Sequence, residues 1–216
     1  MGKQLKDMAY QAKLVVFVLV NFLPLSLGIS GKKIPLDPFK IWEFLSSVDL
    51  QKGVLSFLLS ILAVALVGIV PSEWKFKLIF WKCRNAKPAS EAFTKWMFED
   101  DRIDIKVLQK KYKNSPISPK EQNSLWYRIY KKHQEKPSVI DAHRNFLLMR
   151  DLATISFIFM FLFSLYALIR ANYSFYSFIV FLIFLNEYVF FCIPARNYGI
   201  RLVCNVLAEE SSEIES

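Results

Sequence analysis

The stretch SFIVFLIFLNEYVFFCIPARNYGIR, from Ser177 to Arg201, decides the fold class. As far as Ile193 it is apolar on every face, apart from Asn186 and Glu187. A soluble core helix turns such a carboxylate to water, but a helix that is hydrophobic all round has no wet side and belongs in a bilayer or a large core. Composition favours the bilayer: 54% of the 216 residues are hydrophobic, 20 are Phe, and mean hydropathy is +0.27, yet 22% are charged. Apolar and charged residues must therefore occupy different segments.

Residues 14–29, 54–70, 152–169 and 175–193 carry almost no charge, and each approaches the ~20 residues that span a bilayer. The predicted class is all-α: an integral membrane protein with four transmembrane helices and a helical cytoplasmic segment between the second and third. Asn21 and Pro24 interrupt the first run, and the Lys3, Lys6 and Lys13 flank also suits a signal sequence. Ser26-Leu27-Gly28 is a poor cleavage site, which favours retention. The plan is a transmembrane hairpin over 1–72, a basic segment over 73–151, a second hairpin over 152–195 and a cytoplasmic tail over 196–216.

Charge orients the chain. From Glu73 to Asp151 there are 18 Lys or Arg against 10 Asp or Glu, a surplus of 8 within the net +9. Lys75, Lys77, Lys82, Arg84, Arg144 and Arg150 lie near predicted spans, so this segment is expected in the cytoplasm. An even number of spans then places both termini there as well. The connection from Ser30 to Gly53 is nearly balanced and fits the outside. Within it, Asp37 and Pro38 start a helix predicted over about 38–50, whose Ile41, Phe44, Leu45 and Val48 stripe beside Trp42 suits a helix at the membrane surface, a loop helix packed over the span ends, or part of a lid over a pore.

The 79 residues of the middle segment hold no strand alternation and no Gly-rich phosphate loop; the whole chain has 6 Gly. Three helices are predicted. One covers DDRIDIKVLQKKY, capped by Asp100 or Asp101. A second starts with Ser118, Pro119 and Glu121 as a capping box. A third begins near Ser138 and runs directly into the third span. A charged segment this short makes a marginal core, so packing across subunits or on a partner is expected. Trp74, Trp81, Trp96, Trp126, Tyr112, Tyr127 and Tyr130 supply the apolar area. Their interleaving with Lys110, Lys111, Lys113, Lys131 and Lys132 also permits nucleic acid, although basic residues beside the inner leaflet are expected from topology and from anionic lipid.

Candidate chemistry is sparse. Cys83, Cys192 and Cys204 form no Cys-x-x-Cys pair, so neither a zinc site nor a structural disulfide is expected. Hydrolase, metalloprotease and nucleotide-binding motifs are absent, and no cofactor or metal is expected. Arg128 and His133 match the Arg-x4-6-His pattern of HEPN ribonucleases, in which a neutral imidazole accepts the ribose hydroxyl proton while Arg holds developing charge. Residues five apart lie about 140° round a helix, so the two share a face poorly, and a solvated or interfacial His133 is the plainer reading.

Glu187 sits seven residues before Pro194, roughly 10 Å of helical rise from the inner boundary. A carboxylate at that depth is costly unless paired, protonated or wet, and such groups face the bundle interior or a water-filled path. Glu187 therefore lines a pore, cross-links helices through Asn21 or Asn186, or reaches the inner-surface residues Arg150, Arg196 or Arg201. Helix pairing is the commoner use of polar groups in spans.

Several spans with an Arg-x-x-x-x-His in a basic helical segment resemble the membrane accessory proteins of type VI CRISPR systems. Four spans without enzyme motifs resemble the membrane subunit of the Kiwa anti-phage system. These resemblances imply a bacterial inner-membrane oligomer, in contact with lipid, that senses infection or alters membrane integrity. The expected function is thus a non-enzymatic, oligomeric membrane effector or sensor in antiviral defence. Its alternatives are a scaffold that recruits a cytosolic protein partner and a membrane-tethered ribonuclease using Arg128 and His133.

Overall fold

The structure is a computed structural model, and it describes residues 5–30, 50–112, 117–169 and 175–215. Among the described residues it is all-helical: α1 (Met8–Ser30), α2 (Leu50–Ile69), α3 (Ser72–Phe80), α4 (Ile105–Lys111), α5 (Pro119–His133), α6 (Pro137–Ile169) and α7 (Phe175–Glu215). Two 3-10 turns, Pro88–Glu91 and Trp96–Phe98, lie between α3 and α4. The surface helix expected near 38–50 falls almost wholly outside the described residues.

Among the described residues two helices, α6 and α7, are long and apolar enough to cross a membrane; the bent pair α2 and α3 brings the number to three if it forms one span. Four spans were expected. α1 runs from Met8 to Ser30 with Asn21 and Pro24 inside it, and its described apolar stretch, Met8–Asn21, is shorter than a span.

The chain divides into two compact units, and one of them comprises Met8–Pro71 and Asp151–Phe191. Leu25, Ala63, Ile155, Phe159, Phe163 and Phe184 lie fully buried at its centre, with the Phe159 and Phe184 rings stacked at 5.4 Å. Its exterior is apolar too: Val16, Leu19, Phe57, Ile61, Phe178 and Phe190 are all exposed. Hydrophobic surface on both sides of a helical layer is what lipid as a solvent demands, whereas water would reward a polar outer face.

The other unit comprises Met1–Asp7, Ser72–Arg150 and Cys192–Ser216. The helix predicted from DDRIDIKVLQKKY is shorter than the motif, and Asp104 caps it by accepting from the Val107 amide at 2.9 Å. Asp100, expected as a cap, is instead held by the Arg102 guanidinium, with an Nη2 to Oδ2 distance of 2.6 Å. α5 begins at Pro119 as expected, but the Ser118 hydroxyl makes no cap bond, so the capping box is not formed. α6 starts at Pro137 and continues into the apolar run without a break, as the sequence suggested.

The core of this unit has a source that the middle segment alone does not contain. α7 does not end near Pro194; it continues to Glu215 and lays Leu202, Val203, Val206 and Leu207 against Phe93, Met97, Leu108, Trp126 and Ile129. The segment read as a cytoplasmic tail therefore contributes to the core of this unit from within the same chain. Burying four aliphatic side chains contributes on the order of 6–12 kcal/mol before entropy is counted.

Gln122, fully buried, ties α5 to the irregular stretch: its Oε1 accepts from the Phe93 amide at 3.0 Å while its Nε2 donates to the Ile117 carbonyl at 3.0 Å. Where α7 passes α3 and α6, a Cβ on Gly199 would stand 3.1 Å from Phe80 Cζ and 3.2 Å from Phe146 Cδ2. Gly199→Val should therefore lower the unfolding free energy by about 2 kcal/mol through overpacking. Gly68→Ala, where nothing lies within 4 Å, should not destabilise. Thermal melts of the two variants check the contrast.

Candidate functional site

Asn21, on α1, is fully buried in the apolar unit. Its Nδ2 donates to the Phe17 carbonyl at 3.1 Å, which leaves Oδ1 buried without a partner. Glu187 on α7 is half-buried, and its carboxylate meets the side chains of Asn21 and of Ser156 on α6, while Oε2 is buried without a hydrogen bond. Ser156 also donates back to the Leu152 carbonyl at 3.1 Å. Three helices thus converge on one polar point inside an apolar body. Of the partners considered for Glu187, Asn21 is in place and Asn186 is not: Asn186 is exposed and donates to the Leu182 carbonyl at 2.8 Å in its own helix. Ser156 gave no signal in the sequence, since a lone serine in an apolar run reads as filler.

The three arginines expected at an inner surface occupy different environments. Arg150 is buried within the protein, with its guanidinium 5.9 Å from the Phe146 ring centroid. Arg196 lies 3.7 Å over the Trp81 ring, and its Nε donates to the Ile79 carbonyl at 2.5 Å. Trp81 has φ 52°, a left-handed conformation that bulky residues seldom adopt, and the stacked guanidinium holds it at the end of α3. Arg201 is exposed.

Arg128 and His133 are not brought together. Arg128 is exposed, while His133 is fully buried on the far side of α5. That overturns the solvated or interfacial reading of His133. Its Nε2 lies 2.6 Å from Glu210 Oε2 on α7, and a carboxylate only accepts, so Nε2 carries the proton. Nδ1 makes no hydrogen bond and lies 3.5 Å from Glu213 Oε1. Glu210 also accepts from Lys111 Nζ and Tyr112 Oη, both at 2.6 Å, with Lys132 Nζ at 3.5 Å. Burial alone would raise the Glu210 pKa, but the bonds from Lys111, Tyr112 and His133 outweigh it and hold the carboxyl down to about 2. The same burial, with the bond to Glu210, pushes the Tyr112 phenol well above its ordinary value.

The polar seam extends along α7. Ser138 Oγ donates to Glu209 at 2.6 Å, Lys136 lies 3.2 Å from Glu213, and Asn205 joins the Ser138 carbonyl to Arg102. Three of the lysines considered for nucleic acid have partners within the chain. Lys111 and Lys132 turn into Glu210, and Lys131 lies 5.4 Å over the Tyr127 ring. Lys113 falls outside the described residues.

Comparison with models of protein families, with curated proteins and with solved structures finds no match for this chain.

Proposed function

We propose that the chain is a four-span protein of the bacterial inner membrane with both termini in the cytoplasm, acting as an oligomeric effector or sensor of membrane integrity. The observation that carries this reading is the Asn21, Ser156 and Glu187 convergence, with two buried acceptor atoms unpaired, inside a unit whose outer face is apolar. Buried polar groups of this kind in a membrane body mark functional or assembly positions. α6 and α7 are each a single helix whose charged and apolar parts belong to different units, which suits a device linking a cytoplasmic event to the membrane. The resemblance to defence membrane proteins supplies phage infection as the proposed trigger.

The ribonuclease alternative is the less favoured reading, since Arg128 faces solvent while His133 is enclosed against Glu210. Topology tests the proposal first. Reporters fused after Arg84 or Ser216 should register cytoplasm, and one inserted near Lys33 the outside. An external signal at Arg84 would overturn the four-span map and the cytoplasmic placement of the charged unit together.

A further inference from the structure

A cleft of about 400 Å³ opens in the charged unit between α3, the first turn of α5 and the loop over 85–90. Its charged lining is Lys77, Lys87, Lys120 and Glu73, a surplus of two positive charges, and Asn85 and Asn123 add side-chain amides. Among the described residues none of the three lysines makes an ion pair, in contrast to Lys111, Lys132 and Lys136 around the Glu210 seam. The Lys77 ammonium lies 4.8 Å over the Trp74 ring, which leaves Lys87 and Lys120, among the described residues, as the cations in the lining without a charged or aromatic partner, and an anion relieves the repulsion among the three.

Lys120, Asn123 and Ser124 share one face at the start of α5 and form one wall of the cleft, while the acidic Glu121 of the same turn does not line it. Asn85 holds φ 51°, a conformation Asn tolerates better than most residues, and this shapes the loop on the opposite wall. An apolar recess of about 60 Å³ shares Phe76, Lys87 and Asn123 with the cleft and is also lined by Gly199. The cleft volume falls within the range of small-molecule sites.

We infer that this cleft binds a phosphate group, carried either by an anionic lipid headgroup or by a soluble phosphorylated molecule. Lysine ammonium groups and amide donors match the three acceptor oxygens of a phosphate, and a single carboxylate would leave positive charge over. Binding here stands or falls independently of whether the protein changes membrane permeability.

The test uses the full chain in phosphatidylcholine nanodiscs. In one arm pyrophosphate and AMP are titrated calorimetrically. In the other, phosphatidylglycerol is mixed into the discs and retained lipid is counted by native mass spectrometry. Saturable binding of one ligand per chain is expected in at least one arm, and which arm responds identifies the source. Lys87→Gln with Lys120→Gln should weaken it by at least about tenfold per lysine, with the unfolding midpoint unchanged because neither side chain is in the core. Lys106→Gln with Lys110→Gln, the same loss of charge on exposed positions of α4, should leave binding intact. No saturable binding in either arm, or equal weakening by the two pairs, would overturn the inference.

Discussion

Glu210→Ala should destabilise the charged unit by about 3–5 kcal/mol, the cost of removing one member of a buried charged cluster and leaving the others without it. Glu210 is only 1% exposed and accepts from Lys111, Tyr112 and His133 at once, so the loss strands a fully buried imidazole and a half-buried phenol together. Displacement of its carboxyl from the ordinary 4.5 to about 2 corresponds to about 3 kcal/mol, in line with the lower end of that range. Glu210→Gln keeps an acceptor and should lose less than half as much. Urea unfolding of the full chain, followed by the fluorescence of Trp96 and Trp126 in the same core, reads the difference. A loss under about 1 kcal/mol in the alanine variant would show that solvent, and not the cluster, solvates this carboxylate.

The same site sets an acid sensitivity with a defined sign. Unfolded, Glu210 titrates near 4.5; folded, near 2. The unfolded state therefore binds more protons between those values. The carboxylate's contribution is fully present above about pH 5 and erodes as pH falls toward 2. In Glu210→Ala that portion of the acid-induced loss should vanish, leaving a flatter profile of stability against pH over the same window.

How much of this was legible beforehand differs from element to element, for physical reasons. The uninterrupted passage of α6 from Pro137 into the apolar run was readable, because no breaker separates the charged from the apolar residues. The role of α7 beyond Pro194 was not. Pro194 with Arg196 two residues on reads as a stop near a membrane boundary, so residues 196–216 read as a cytoplasmic tail. Yet Leu202, Val203, Val206 and Leu207 recur at helical spacing with Glu210 in step, a stripe that asks for a partner. That partner stands 77 to 99 residues earlier in the chain, in His133, Tyr112 and Lys111, and nothing local announces so long a pairing. Asp100, Asp101 and Asp104 are equivalent cap candidates by type, and the Arg102 side chain engaging Asp100 decides between them. In the apolar unit Asn21 and Glu187 were both conspicuous as polar groups in lipid-compatible runs, whereas their meeting, and the part of Ser156, required the fold.

On the proposed function, an oligomer that acts on membrane integrity, Glu187→Leu should leave insertion intact and reduce that activity by at least about tenfold. Insertion is safe because exchanging a carboxylate for leucine within a span favours the bilayer by a few kcal/mol. The penalty falls on packing: Asn21 and Ser156 lose their shared partner, and each such hydrogen bond in a bilayer is worth about 1–2 kcal/mol at most. Together they suffice to shift α7 against α1 and α6 by more than one order of magnitude in population. Glu187→Gln separates the two roles the carboxylate can have. If Glu187 clamps three helices, glutamine preserves the bonds to Asn21 and Ser156, and oligomer size and vesicle leakage stay near those of the parent. If the charge lines an ion path, glutamine keeps the oligomer while leakage changes as much as in the leucine variant. Asn21→Leu completes the cycle, since a shared clamp predicts that Asn21→Leu and Glu187→Leu combined lose little more than either alone. Full leakage activity and native oligomer size in Glu187→Leu would remove Glu187 from the mechanism, and additive losses in the double variant would separate it from Asn21.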